Sequence, residues 1–87
     1  MNQIYENLLV KQVLDILIFL EFSNEEAIDP DVSIELMEQI HSDLSLLKDR
    51  DLNKFAISVK EVADNYDIKH KNFIMNWVSQ LVTDYNF

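Results

Sequence analysis

The 87-residue chain contains no glycine and a single proline. Tight hairpin turns depend on residues that tolerate positive φ, above all glycine, whereas helices joined by short polar segments do not. A chain of this length buries only about 60 to 65 % of its unfolded surface and cannot build two cores. Since 48 % of the residues are apolar, there is enough material for one core. We therefore predict a single all-α domain spanning residues 1–87.

Apolar residues recur at spacings of three and four, which predicts a small bundle of four main helices plus a short connecting helix. Ser23 and Glu26 form a capping-box pattern for the connecting helix, and Asp29 is a predicted N-cap in front of Pro30. The main helices are expected over Asn2–Leu20, from Pro30 to the charged segment 48–51, from that segment to about residue 66, and over Lys69–Tyr85.

The same spacing assigns an inward face to each of the last three helices. In the second helix this face consists of Val32, Leu36, Met37, Ile40, Leu44 and Leu47. In the third helix it consists of Leu52, Phe55, Ala56, Val59, Val62, Ala63 and Tyr66. In the fourth helix it consists of Phe73, Ile74, Trp77, Val78, Leu81, Val82 and Tyr85. The first helix is apolar on nearly every side after Asp15, so it is expected to be covered on both sides at the centre of the bundle. Asp43 falls at the apolar edge of the second helix and is expected to be exposed by a bend, or else paired with a Lys or His.

Charge is distributed unevenly along the chain. Residues 1–51 hold twelve acids and three bases, which accounts for the whole net charge of −9, while residues 52–87 hold four of each. From Gln12 to Leu47 there is no Lys or Arg, and the carboxylates are Asp15, Glu21, Glu25, Glu26, Asp29, Asp31, Glu35, Glu38 and Asp43. A field of one sign attracts partners of the opposite sign and speeds their encounter. The expected partner is a basic protein, whereas nucleic acid and anionic membranes are not expected because both require clustered Lys and Arg.

The residue types argue against an enzyme and against a bound metal or cofactor. The chain has no cysteine, which excludes disulfides, thiolate chemistry and zinc sites with Cys ligands. His41 and His70 lack the spacing of a helical metal motif, and both are interpreted as structural. Carboxylate catalysis requires an acid in a dry pocket, whereas the acids here fall at helix starts and on polar faces. No metal, cofactor or catalytic residue is therefore predicted.

The N-terminal segment has the features of neither a signal peptide nor a membrane span. No base precedes Lys11, and the apolar run from Val13 to Leu20 is interrupted by Asp15. Signal peptides carry a basic start, and membrane spans need about 20 consecutive apolar residues. A soluble, cytoplasmic protein is expected.

One stretch of the chain resembles a known group of proteins. The residues from Phe19 to Asp31, followed by Glu38, Ile40, Leu44 and Leu47, are similar to a pattern in small acidic immunity proteins encoded beside bacterial polymorphic toxins, of the contact-dependent growth inhibition type. The similarity covers about a third of the chain and includes no catalytic signature. It implies a cytoplasmic protein that binds one cognate toxin domain, often a basic nuclease, and blocks its active site.

Charge and hydrophobicity together predict which residues contact such a partner. Ile18 and Phe22 are the candidate apolar anchors, because tight binding usually depends on a few desolvated side chains. The acidic residues expected to face Lys and Arg of the toxin are Glu21, Glu25, Glu26, Asp29, Asp31, Glu35 and Glu38.

Two alternative functions remain open on the sequence. An inhibitor that mimics the charge of nucleic acid would use the same acidic residues against a basic site. An acyl carrier protein is also small, acidic and four-helical, and attaches its prosthetic group to a Ser in an Asp-Ser-Leu motif at a helix start. Here Leu44 separates Asp43 from Ser45, so the match to that motif is incomplete.

Overall fold

The computed structural model describes residues 3–85, with their side chains described as far as Val82. It consists of four helices, α1 (Gln3–Phe22), α2 (Pro30–Leu44), α3 (Asp49–Ala63) and α4 (Ile68–Tyr85). No strand occurs within residues 3–85, and the predicted all-α class is confirmed. The predicted helix start at Asn2 and the predicted inward direction of the Tyr85 side chain lie outside what the structure describes. None of the helices in this range combines the length and hydropathy that a membrane span requires.

The core is formed where α3 packs against both α1 and α4. Its buried members are Val10, Leu14 and Leu17 from α1, Ala56, Val59, Val62 and Ala63 from α3, and Ile74 and Val78 from α4. The inward faces predicted for α3 and α4 are therefore confirmed, with Phe55, Phe73 and Trp77 half-buried at the margin of the core. The rings of Phe55 and Trp77 meet edge-on with their centroids 6.2 Å apart, a favoured aromatic geometry.

Polar groups also enter the contact between α1 and α3. Ser58 is buried among the apolar residues of α3, a position that hydrophobic spacing does not reveal. Its hydroxyl donates a hydrogen bond to Asn7 Oδ1 of α1, and Asn7 Nδ2 donates in turn to Glu61 Oε2 at 3.1 Å. These bonds satisfy polar groups that would otherwise destabilise the interface.

The rotation of α2 differs from the prediction. Val32 and Leu36 are 44 % and 45 % exposed, so their predicted inward positions are wrong. The face turned toward α1 instead contains Ser33, Met37, Ile40 and Leu44, spaced by four, three and four. Apolar residues cover more than half of the circumference of α2, so their spacing alone does not determine which side of the helix faces the bundle. Met37, Ile40, Leu44 and Leu47 are half-buried, in agreement with their predicted direction.

The predictions for the start of α2 are confirmed. Asp29 is the N-cap, and its Oδ1 accepts a hydrogen bond from the Asp31 amide at 2.8 Å. Pro30 occupies the first turn, where its missing N–H is not needed. Asp43 is exposed, and Gln39 Nε2 donates to its Oδ1 at 2.9 Å.

A small polar network joins α1 to the turn that follows α3. Lys11 Nζ lies 2.6 Å from Asp15 Oδ2, and the Tyr66 hydroxyl donates to Asp15 Oδ1 at 2.5 Å. The hydrogen bond from Lys11, followed by that from Tyr66, lowers the pKa of Asp15 below its ordinary value of 3.8. Burial and the bond to Asp15 raise the pKa of Tyr66 above its ordinary value of 10.0. The network is therefore most stable with Asp15 ionised and Tyr66 neutral.

This network predicts a pH-dependent contribution to stability. A lowered carboxyl pKa stabilises the fold above about pH 3.8 and loses this effect as the pH falls. A raised phenol pKa stabilises it below about pH 10 and loses this effect as the pH rises. We expect Tyr66→Phe to lower the free energy of unfolding by about 1 kcal/mol between these limits, since the partner carboxylate is partly exposed. Urea unfolding across this range should show the difference shrinking at both ends, and a constant difference would contradict the assignment.

Candidate interaction surface

The segment between α1 and α2 is a single hydrogen-bonded turn held by Asn24. The Asn24 Oδ1 accepts hydrogen bonds from the amides of Glu26 and Ala27 at 3.1 and 3.0 Å. The Asn24 carbonyl accepts from the Ile28 amide at 3.2 Å. The short connecting helix predicted here is thus one turn, and its capping side chain is Asn24 rather than the predicted Ser23. Because the side chain and the main chain of Asn24 both fix the turn, Glu25 and Glu26 are held on its outer side.

The acidic surface begins at the end of α1, crosses this turn and continues along α2. All of its members are exposed, and they are Glu21, Glu25, Glu26, Asp29, Asp31, Glu35 and Glu38. Asp31, Glu35 and Glu38 are spaced by four and three, which places them on one side of α2. The seven predicted acidic residues are thus all exposed, and they follow one another along the end of α1, the turn and α2. Asp29 differs from the others because one of its carboxylate oxygens is engaged in capping α2.

The carboxylates of the acidic surface are not neutralised by bases within the described residues. The ion pairs found there join Lys11 to Asp15, His70 to Asp67 and Lys71 to Asp64, all away from residues 21–38. Clustered like charges repel one another by a few tenths of a kcal/mol per helical pair. The acidic surface thus retains its field, at some cost to the stability of α2.

An open groove of about 690 Å³ lies between the end of α1, the turn and the first half of α2. Its apolar lining includes Leu20, Ile28, Ile34 and Met37, and its acidic lining includes Glu21, Glu25 and Glu26. Ile34 is 54 % exposed although it lies in the groove. The groove combines an apolar floor with a rim of carboxylates, which is an arrangement suited to a side chain that has an apolar stem and a positive end.

The two predicted apolar anchors are directed toward other helices of the bundle. Ile18 is half-buried and packs against the core. The Phe22 ring lies 4.7 Å from the His70 ring and 5.6 Å from the Phe73 ring, centroid to centroid. Lys69 Nζ lies 4.9 Å from the centre of the Phe22 ring, within the range of a cation–π interaction. Phe22 therefore joins the end of α1 to the start of α4.

The histidines and the candidate metal ligands can be described in the same way. His70 stacks on Phe22, and its Nδ1 lies 3.6 Å from Asp67 Oδ2. His41 is half-buried at an open groove between α2 and α4. Among the residues whose positions are described, no group of three or more His, Asp or Glu side chains could hold a metal ion. The acidic surface is spread along the exterior and does not converge on a point.

Sequence reasoning missed the exposed apolar residues on the outside of the bundle. They include Ile34 on α2 and, on α1, Tyr5, Leu9, Ile16 and Phe19, each about half exposed. The prediction that α1 is covered on both sides is wrong, because Ile16 and Phe19 in its second half remain about half exposed. Apolar residues on nearly every side of α1 are compatible with an exposed apolar face and also with complete burial. The sequence does not distinguish these two cases, because it does not give the number of helices that surround α1.

No protein-family model matches the chain, no curated protein is similar to it, and no solved structure matches its fold.

Proposed function

We propose that this protein is a binding protein that neutralises a basic toxin domain, in the manner of the immunity proteins of bacterial polymorphic toxins. One observation carries the proposal: of seven exposed carboxylates without described basic partners, Glu21, Glu25 and Glu26 line a groove with an apolar floor, and the other four lie on the adjoining helix α2 and its N-cap. An active toxin domain that acts on nucleic acid needs Lys and Arg in its cleft. Carboxylates placed against those residues would occupy the positions that phosphates otherwise take.

The electrostatic cost of the acidic surface supports a role in recognition. Helix caps and solubility require only scattered acids, whereas clustered acids repel one another and lower stability. Positive charges of a basic partner would offset this repulsion. The association rate with such a partner decreases as the salt concentration rises. At the acidic surface the same field disfavours contact with acidic proteins and nucleic acids, so it increases selectivity as well as the association rate.

Affinity requires more than charge, because exposed ion pairs each contribute only about 0 to 1 kcal/mol. The groove supplies an apolar component through Ile28, Ile34 and Met37. We assign the anchoring role to Ile34, since it is exposed at the groove and its side chain is not needed in the core. The contacts of Phe22 with His70 and Phe73 make it a residue whose replacement would primarily alter stability.

The acyl carrier alternative finds less support in the position of its candidate serine. Ser45 is the C-cap of α2, and its hydroxyl donates to the Ser42 carbonyl at 2.5 Å. The modified serine of an acyl carrier needs an accessible hydroxyl at a helix start. An inhibitor that mimics nucleic acid would use the same acidic surface and would differ from an immunity protein only in its partner. Identifying the partner therefore distinguishes the two functions.

The proposed function predicts that a gene beside this one encodes a toxin domain, and the test uses that domain. Co-expression of the chain should protect cells from that domain but not from an unrelated toxin of similar charge. The purified chain and an inactivated form of the toxin domain should form a complex whose affinity decreases with salt. If the chain neither protects nor binds, and instead binds a basic nucleic-acid-binding regulator, the mimic is the better description and the immunity role is wrong.

An Ile34→Ala variant tests the anchor separately. The side chain is more than half exposed, so the free energy of unfolding should change by less than about 1 kcal/mol. We expect dissociation from the toxin domain to become about tenfold faster or more, while the association rate stays nearly constant. Ile57→Ala on α3 is a matched control, since Ile57 is 57 % exposed and lies outside the groove. Equal dissociation rates for the two variants would contradict the assignment.

A further inference from the structure

The outer side of α1 carries an uncharged stripe with helical spacing. It consists of Tyr5, Leu9, Gln12, Ile16 and Phe19, separated by four, three, four and three residues. The four apolar members are each between 47 % and 52 % exposed, and Gln12 is exposed as well. Alternating steps of three and four are the pattern of a helix that packs against another helix through a narrow seam. In this seam Leu9, Ile16 and Phe19 remain about half exposed to solvent.

We propose that this stripe pairs with the same stripe of a second copy, with the two α1 helices antiparallel, so that the protein is a homodimer. A two-fold interface presents the same patch from both copies, and the stripe suits this symmetry. Tyr5 and Phe19 lie at equal distances from Gln12 along the helix, so an antiparallel arrangement places an aromatic ring against an aromatic ring at both ends. The two Gln12 side chains then meet near the axis, where a polar residue in an apolar seam fixes the register.

The distribution of charge favours the antiparallel over the parallel orientation of the two copies. A basic partner would be attracted to the acidic surface, whereas the stripe offers it no carboxylate. In a parallel pair, the acidic surfaces at the ends of both α1 helices would lie side by side and repel. In an antiparallel pair they are separated by about the length of the 20-residue α1, roughly 30 Å at 1.5 Å per residue. This separation exceeds the Debye length of about 8 Å at physiological salt, and the helix dipoles also align favourably.

The area of the face is sufficient for a specific interface. Leu8, which is 57 % exposed, extends the stripe to six side chains. Aromatic side chains present roughly 150 to 250 Å² each, and with aliphatic side chains near the lower end of this range, six at about half exposure amount to roughly 500 Å² per copy. Two copies together reach the lower limit of about 1,000 Å² expected of a biological interface. Such an area predicts a dimer of moderate affinity that dissociates on dilution.

The experiment measures the mass of the complete chain by sedimentation over a wide range of concentrations. Ile16→Lys and Ile57→Lys form a matched pair, because both isoleucines are about half exposed on a helix and both changes give a net charge of −8. We expect the unmodified chain and Ile57→Lys to dimerise alike, and Ile16→Lys to raise the dissociation constant at least about tenfold. Circular dichroism verifies that both variants remain helical. A chain that is monomeric throughout, or a dimer that Ile16→Lys leaves intact, would overturn the proposal.

Orientation is tested by cross-linking, since the chain has no cysteine of its own. Gln12→Cys should form a disulfide-linked dimer under mild oxidation. Phe19→Cys alone should not, because the two copies of this residue would lie about 21 Å apart along the axis, at 1.5 Å per residue, and a disulfide spans at most about 7 Å between Cα atoms. Efficient cross-linking through Phe19→Cys would show a parallel pair and overturn the orientation. The stripe and the acidic surface share no residue, so failure of this proposal leaves the proposed function intact.

Discussion

Replacing Glu25, Glu26, Glu35 and Glu38 with Lys is expected to abolish protection against the cognate toxin domain. The four changes alter the net charge from −9 to −1 and place positive charge where the proposed partner is positive. Electrostatic steering contributes factors of roughly 10 to 1,000 to association rates, so the rate should fall by at least the lower of these factors. The dependence of the association rate on salt should weaken at the same time. Stopped-flow binding at several salt concentrations measures both quantities.

A matched pair of double variants distinguishes the location of charge from its total. Glu35→Lys with Glu38→Lys and Asp49→Lys with Asp51→Lys each give a net charge of −5. Only the first pair lies in the acidic surface, because Asp49 and Asp51 are in the first turn of α3. We expect the first double variant to bind more slowly than the second. Should the quadruple variant protect cells as well as the unmodified chain, with the same salt slope, the acids serve solubility and the proposed function is wrong.

The second large effect is expected in the core. Leu14 of α1 is completely buried in the core. Leu14→Ala should lower the free energy of unfolding by about 2 to 5 kcal/mol, because it leaves a cavity. Domains of this kind have total stabilities of only about 5 to 15 kcal/mol, so we expect this variant to lose a large fraction of its stability. Urea unfolding followed by circular dichroism provides the measurement.

Leu36→Ala is the matched comparison for this variant. The spacing of α2 predicts an inward Leu36 and a loss of similar size, but the side chain is 45 % exposed, so we expect a loss of about 1 kcal/mol or less. Trp77→Ala should still cost about 2 to 5 kcal/mol, since the ring packs on the core and against Phe55. If Leu36→Ala and Leu14→Ala are equally destabilising, α2 is rotated as its spacing predicts.

The contrast between α3 and α2 explains how far the fold can be predicted from the sequence. In α3 the apolar residues form one narrow stripe opposite a charged side, so that only one rotation buries them, and Val59 and Ala63 are buried as predicted. In α2 the apolar residues are spread more widely, and both Leu36 and Met37 could face inward. The choice depends on which neighbour α2 touches, and this is a property of the assembled bundle rather than of the helix.

The candidate surface shows the same division between local and long-range information. Exposure of Glu25, Glu35 and the other carboxylates is predictable, because burying an unpaired charge is costly wherever it occurs. The cap at Asp29 is predictable because it involves neighbouring residues. Phe22 was expected to be an anchor, but its contacts come from His70 and Phe73, about fifty residues later in the chain. The groove is likewise formed by three segments and has no signature in any one of them.

The position of α2 has a consequence for how this protein can change over evolutionary time. Ser33 is its single fully buried residue, and an open groove of about 330 Å³ separates part of α2 from α4. Substitutions on exposed positions of a peripheral helix typically alter stability by less than about 0.5 kcal/mol. Most of α2 can therefore diverge while the three-helix core of α1, α3 and α4 stays constant. Related chains could acquire different partners by exchanging residues along one helix, without first having to regain a stable fold.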